Sequence, residues 1–238
     1  VIGGDTTGAR NVISGNDDVG IWFQDSGSTG NRVLGNYVGT DVTGMVALSN
    51  QCGILIGFEA TGNIIGGDTD GARNVISGND NVGIQIQNGG TTGNQVLGNY
   101  IGTDAVGMAP LGNEVGVTII GAQDNIIGGD TAGARNIISG NSDVGVQLQN
   151  DGTSGNRVLG NYIGTDASGT VALGNSNGIR IWYGASDNLV GGDTAGARNV
   201  VSGNKVAGIT ISSAGTTGNQ VMGNYIGTNT SGTAALGN

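Results

Sequence analysis

Hydrophobic residues along this chain fall in stretches of only three to five, and within each stretch they alternate with polar ones. Ile179 and Ile181 point one way while Arg180 and Trp182 point the other. A period of two means strands. Gly-Asn and Gly-Asp pairs bound each stretch, residue types that tolerate the left-handed backbone of sharp turns. No window carries a 3.6-residue period long enough for a helix.

The stretches recur. Gly-Gly-Asp triplets stand at 3–5, 66–68, 128–130 and 191–193, at steps of 63, 62 and 63. A closing element, Gly20-Ile21-Trp22-Phe23, returns six more times down to Gly208-Ile209-Thr210-Ile211, at steps of 29 to 33. Asn31, Asn63, Asn94, Asn125, Asn156, Asn188 and Asn219 follow one another at 31 or 32 residues. Two residues beyond each is a Val or an Ile. A second series comprises Asn16, Asn50, Asn79, Asn113, Asn141, Asn175, Asn204 and Asn238. Repeats of this length signal a stacked architecture.

Hairpins would generate mirror images, and these units are direct copies. Like positions meet best when the chain coils and each strand pairs in parallel with its copy one turn on. The expected fold is therefore all-β: a single-stranded right-handed parallel β-helix, a solenoid of about seven coils of 31–32 residues. Each coil holds three short strands. Right-handed coiling is the default for parallel crossovers, and at ~4.8 Å per coil the stack is roughly 35 Å tall. Residues 1–238 read as a single repeat domain, a fragment of a longer array, with double-coil repeats starting near residues 1, 63, 125 and 188. Asn side chains stacked at the strand spacing can bond each other in ladders.

Composition narrows the function. Gly is 51 of 238 residues with a single Pro, which excludes collagen. Net charge is −10, with eight cations against 18 acids, so no basic surface for nucleic acid exists. No apolar run approaches the ~20 residues of a membrane-spanning helix, so no membrane insertion is expected. The one Cys, Cys52, stands where Val19, Val82, Val115 and Val144 stand in other coils, and reads as a small packed hydrophobe. There is no His, which removes the commonest general base and metal ligand.

The phrases NVISGN, GNYIGTDxxGTxALGN and NxIIGGDTAGARN resemble the right-handed parallel β-helix repeats of large secreted or surface-exposed bacterial proteins. The resemblance covers the whole chain. The wider superfamily includes pectate lyases, polygalacturonases, epimerases, phage tailspikes and adhesins. It therefore implies extracellular or cell-surface work, often on carbohydrate, without choosing among these.

Three sets of residues are candidates for chemistry. The first is a row of acids, Asp5, Asp41, Asp68, Asp104, Asp130, Asp166 and Asp193. Arg10, Arg73, Arg135 and Arg198 are expected to bridge it from neighbouring coils; Ca²⁺ sites are the alternative, although the Ca²⁺-binding nonapeptide is absent. The second is the set of departures from the repeat, Glu59, Glu114, Lys205 and the pair Asp17-Asp18, which hold no evident catalytic constellation. The third is the outward face of the closing strand, where Trp22, Gln24, Gln85, Gln87, Gln147, Gln149, Arg180 and Trp182 offer amides and indoles to a glycan. Trp22 and Trp182 are five coils apart, ~24 Å, too far to share one sugar. The Tyr series Tyr37, Tyr100, Tyr162 and Tyr225 reads as corner packing.

The sequence thus predicts a non-catalytic structural or adhesive stalk without cofactor or catalytic residues. One alternative is a carbohydrate-binding module. Another is a polysaccharide lyase or glycoside hydrolase whose active site lies on or beyond this segment. The expected partners are a polysaccharide or cell-surface glycan, and end-to-end self-association.

Overall fold

A computed structural model describes all residues from Val1 to Asn238. The chain forms three parallel sheets of eight, eight and seven strands, and each successive strand moves to the next sheet. The first sheet runs from Ile2–Gly3 through Ile126–Gly128 to Gln220–Met222. The second runs from Val12–Ile13 to Tyr225–Ile226, and the third from Val19–Phe23 to Ala207–Ile211. Register follows the repeat: Val96 pairs with Ile65 and Ile127, and Val117 with Ile84 and Val146. This is the predicted solenoid of about seven coils.

One cluster of apolar side chains fills the inside, with columns such as Val96, Ile127 and Val158 from the first sheet and Ile101, Ile138 and Ile163 from the second. Each fully buried Val or Ile contributes roughly 1.5–3 kcal/mol by leaving water. Cys52 pairs in register with Val19 and Val82, in a small satellite cluster outside the main core. Burial, and then the charge of Asp18, pushes its thiol up to about 12, so it behaves as a hydrophobe and not as a nucleophile.

Every corner of the coil carries an Asn ladder, three in all. The two series seen in the sequence occupy the corners before the first and third sheets. In each, an Asn amide donates to Oδ1 of the Asn one coil on, as from Asn125 to Asn156 and from Asn113 to Asn141. The third ladder, before the second sheet, runs through Asn74, Asn99, Asn136 and Asn161 with the same geometry.

The 63-residue period is explained by two ridges that project only in alternate coils. One is the Gly-Gly-Asp turn with its Gly-Ala-Arg continuation. The other is the loop after the second sheet, closed by antiparallel bridges such as Thr103 to Pro110 and Thr165 to Ala172. Successive loops touch across the intervening coil, with Ala105 N–H donating to Gly44 O and Ala167 N–H to Gly107 O.

The acid row does not form as expected. Asp5, Asp68, Asp130 and Asp193 follow the first sheet, whereas Asp41, Asp104 and Asp166 follow the second and cap their own loops. Two similar tripeptides occupy different corners. The Arg side chains also go elsewhere. Arg10, Arg73, Arg135 and Arg198 lie over the rings of Tyr37, Tyr100, Tyr162 and Tyr225, 4.1 to 4.4 Å from the centroids. Only Arg73 pairs with an acid, its near neighbour Asp70. A flat guanidinium gains from an aromatic face as well as from a carboxylate. These Tyr rings, with Val75, Ile137 and Val200 between them, close the outside of the second sheet. The first and third sheets keep open outer faces.

Candidate functional site

On the third sheet the outward positions stack in two columns. One reads Trp22, Leu55, Gln85, Thr118, Gln147, Arg180 and Thr210. In the other, Gln87, Ile120, Gln149 and Trp182 stand side by side. Parallel pairing sets these columns, because each residue sits above its copy at the interstrand spacing of ~4.8 Å.

Midway along this face is a cleft of about 320 Å³. Its floor is Thr118, 2% exposed, whose hydroxyl has no hydrogen-bond partner. Gln85 and Gln147 flank it. At one end Arg180 holds Asp143 through two bonds, Nη2 to Oδ1 at 2.9 Å and Nη1 to Oδ2 at 3.2 Å. The Arg180 guanidinium also lies 4.9 Å from the Trp182 ring. The Trp182 indole donates to Gln149 Oε1 at 3.0 Å and stacks on Tyr183 with centroids 4.2 Å apart. Glu114, one coil from Asp143, is exposed at the rim. Five residues expected on sequence grounds, Gln85, Gln147, Gln149, Arg180 and Trp182, therefore share one cleft. Gln87 is tied to it, accepting from Gln85 Nε2 at 2.6 Å.

Trp22 and Gln24 lie outside the cleft; Trp22 packs near Phe58, with centroids 6.4 Å apart. Sequence reasoning set Glu114 among the departures from the repeat without joining it to this face, and it missed Asp143 and the part played by Thr118. Thr118 was visible as a small polar residue between two Gln positions of one column. Glu114 and Asp143 stand just before the strand, where the residue type drifts from coil to coil. The other irregular acids do not join them. Asp18 is three coils from Glu114 on the same edge, and Glu59 lies at the opposite edge, beside Phe58 and Asn88.

A larger groove, of about 700 Å³, runs along the open face of the first sheet. No group of three or more His, Cys, Asp or Glu side chains is placed to hold a metal ion.

No protein-family description matches the chain, and no curated protein matches it. Solved structures do. The chain superposes on the crystal structure of the periplasmic alginate epimerase AlgG with a TM-score of 0.55 at 17% identity, covering 90% of this chain and 45% of that one. A single and a double mutant of the same epimerase each give 0.56, at 16% and 14% identity. At this identity the likeness is one of fold. The chain spans a little under half of the epimerase's length.

Proposed function

We propose that this chain is a polysaccharide-binding β-helix of a secreted or periplasmic protein, and that it holds sugar units in the third-sheet cleft. The observation that carries this reading is the unpartnered Thr118 hydroxyl at the floor of a cleft walled by amides and an indole. A buried hydroxyl without a partner costs about 1–3 kcal/mol. A ligand hydroxyl that bonds it recovers this cost. Sugars supply such hydroxyls around the ring, and the apolar face of a pyranose suits an indole. Gln85 and Gln147 present both donors and acceptors. With Asp143 engaged by Arg180, Glu114 remains as an acceptor at the rim.

The structural neighbours favour this alternative over the stalk, because AlgG by its name works on a polysaccharide, alginate. The stalk reading leaves the cleft without a purpose. A panel of immobilised glycans tests the proposal. Binding to at least one is expected. Trp182→Ala should abolish it, and Thr118→Val, which keeps shape and deletes the hydroxyl, should weaken it about tenfold. No retention on any glycan, or binding indifferent to both variants, would overturn the reading.

A further inference from the structure

The loops after the second sheet build a ridge whose crest carries no charge, on a protein of net charge −10. Residues 42–48 and 105–111 contain no acid and no base. Asp104 and Asp166 are 4% and 1% exposed, turned inward to cap their loops. In the first two loops the crest is apolar instead. Val42 is 74% exposed, and Met45, Val46, Leu48, Val106 and Met108 are 49% to 57% exposed. Ala105 N–H donates to Gly44 O, which locks these two loops together. The fold does not need the crest to be apolar. The third loop has Ser168 and Thr170 where the second has Val106 and Met108, and both close with the same kind of bridge, Thr165 to Ala172 and Thr103 to Pro110. Beside the crest a notch of about 380 Å³ opens over the intervening coil, lined by Ala47, Gly78, Leu111 and Gly112, with Asp80 and Glu114 also on its wall.

We infer that this patch is an interface between two copies of the chain, which lie side by side with ridge against ridge. Three features select a second copy. The six side chains together expose roughly 600 Å², the upper limit for the largest apolar patch of a typical monomer and near the ~800 Å² that each partner gives to a standard interface. The loops recur every two coils, ~9.6 Å, and a surface with that same spacing follows crest and notch together. A second copy has it, and a two-fold axis lets both copies use the same residues. Finally, two chains of charge −10 repel over most of their surface, and the uncharged crest is where they approach at least cost. Unbranched Met side chains adjust to such a contact. None of the six residues lines the third-sheet cleft, and the inference does not rest on what that cleft binds.

Sedimentation equilibrium on the intact chain tests this. A single monomer–dimer equilibrium at micromolar concentration is expected. Added salt should tighten it, because salt screens the repulsion between two acidic copies and leaves apolar contact in place. The double variant Met45→Asp, Met108→Asp sets like charges across the interface and should raise the dissociation constant at least about tenfold. A second pair, Val106→Ser with Met108→Thr, gives the second loop the residues with which the third already folds, and should weaken the dimer severalfold. Circular dichroism should show both variants folded, since every replaced side chain is about half exposed. Val206→Asp makes the apolar-to-acid change at a residue 68% exposed away from the ridge, and should leave the dimer as it is. A chain that stays monomeric at every concentration would overturn the inference. So would association that salt weakens, or that neither ridge variant changes. An open-ended series of oligomers would also overturn it, because that is the mark of end-to-end stacking and not of a closed pair.

Discussion

Asn94 donates both its backbone N–H and its side-chain amide to Oδ1 of Asn125, each at 3.0 Å. Asn125 repeats the pattern toward Asn156 and spends its remaining amide proton on backbone carbonyls, including Thr91 O at 3.0 Å. All three side chains are fully buried. The ladder thus answers two needs at once. It satisfies backbone groups that the turn leaves without strand partners, and it penalises any slip of one coil against the next.

Replacing a middle rung strands partners on both sides. Asn125→Ala leaves two donors of Asn94 buried and unpaired and removes the amide donor of Thr91 O, while Asn156 Oδ1 keeps the backbone N–H of residue 125, at a cost of about 2–4 kcal/mol. Asn31 lies at the end of the same column, half-buried, and accepts from no earlier rung. Asn31→Ala should cost about 1 kcal/mol. Urea unfolding of both variants checks the ratio, and equal losses would show that the column does not act as a ladder.

Two of the three ladders were legible because their members recur once per coil at steps that stay within 28 to 34 residues. The third was not, since its spacings alternate between 25 and 37 or 38 residues, as from Asn74 to Asn99 and on to Asn136. The ridges of alternate coils lengthen every second interval. The same alternation misled the reading of the acids, where Gly-Gly-Asp and Gly-Thr-Asp look like one series but turn different corners. Of the cleft, the outward Gln, Arg180 and Trp182 were legible from strand alternation. Its floor was not, because the cue is that Thr118 lacks a partner, and only packing shows that. The first-sheet groove was hidden because only the inward β-branched column of that sheet drew notice.

Arg135 lies 4.1 Å from the Tyr162 centroid and donates Nε–H to Gly160 O at 3.0 Å. A Lys ammonium lacks both the flat face and this bond. Arg135→Lys should therefore cost about 1–2 kcal/mol. Asp130→Asn, which touches no partner of Arg135, should stay within about 0.5 kcal/mol. Urea midpoints at low and high salt check this. A loss in Asp130→Asn as large as in Arg135→Lys, and abolished by salt, would restore the ion-pair reading.

Asp41 carries a carboxyl held below its ordinary value, first by the Thr43 hydroxyl and then by the N–H groups of Met45, Val46 and Thr43, with desolvation opposing them. A depressed carboxyl stabilises the fold above its unfolded value, 3.8, and loses that effect as pH falls through the folded value. The loop around it should loosen in acid at that point. In the last copy of the loop Asn229 takes the same bonds from Ser231, Thr233 and Ala234 without a charge. Asp41→Asn is therefore expected to keep the loop and to remove this part of the acid sensitivity. Amide hydrogen exchange at Met45 and Val46 between pH 2 and 5 reads it, and an unchanged acid profile in Asp41→Asn would refute the assignment.

The glycine before Ala-Arg in each ridge tests why the period is 63 and not 31. Gly71, Gly133 and Gly196 have ordinary backbone conformations, so strain is not what keeps them glycine. An added Cβ at each would overlap the backbone carbonyl of Asp5, Asp68 and Asp130 respectively, the Asp of the ridge two coils earlier. Gly8 holds the same place in the first ridge, and a Cβ there meets nothing within 4 Å. Gly133→Ala should thus force the two ridges apart and cost about 3 kcal/mol. Gly8→Ala, chemically the same change, should be neutral or slightly stabilising, because it only restricts the unfolded chain. Thermal melts of the two variants decide the matter. If they lose stability alike, the ridges do not stack across the intervening coil, and the double period has some other cause than contact between alternate turns.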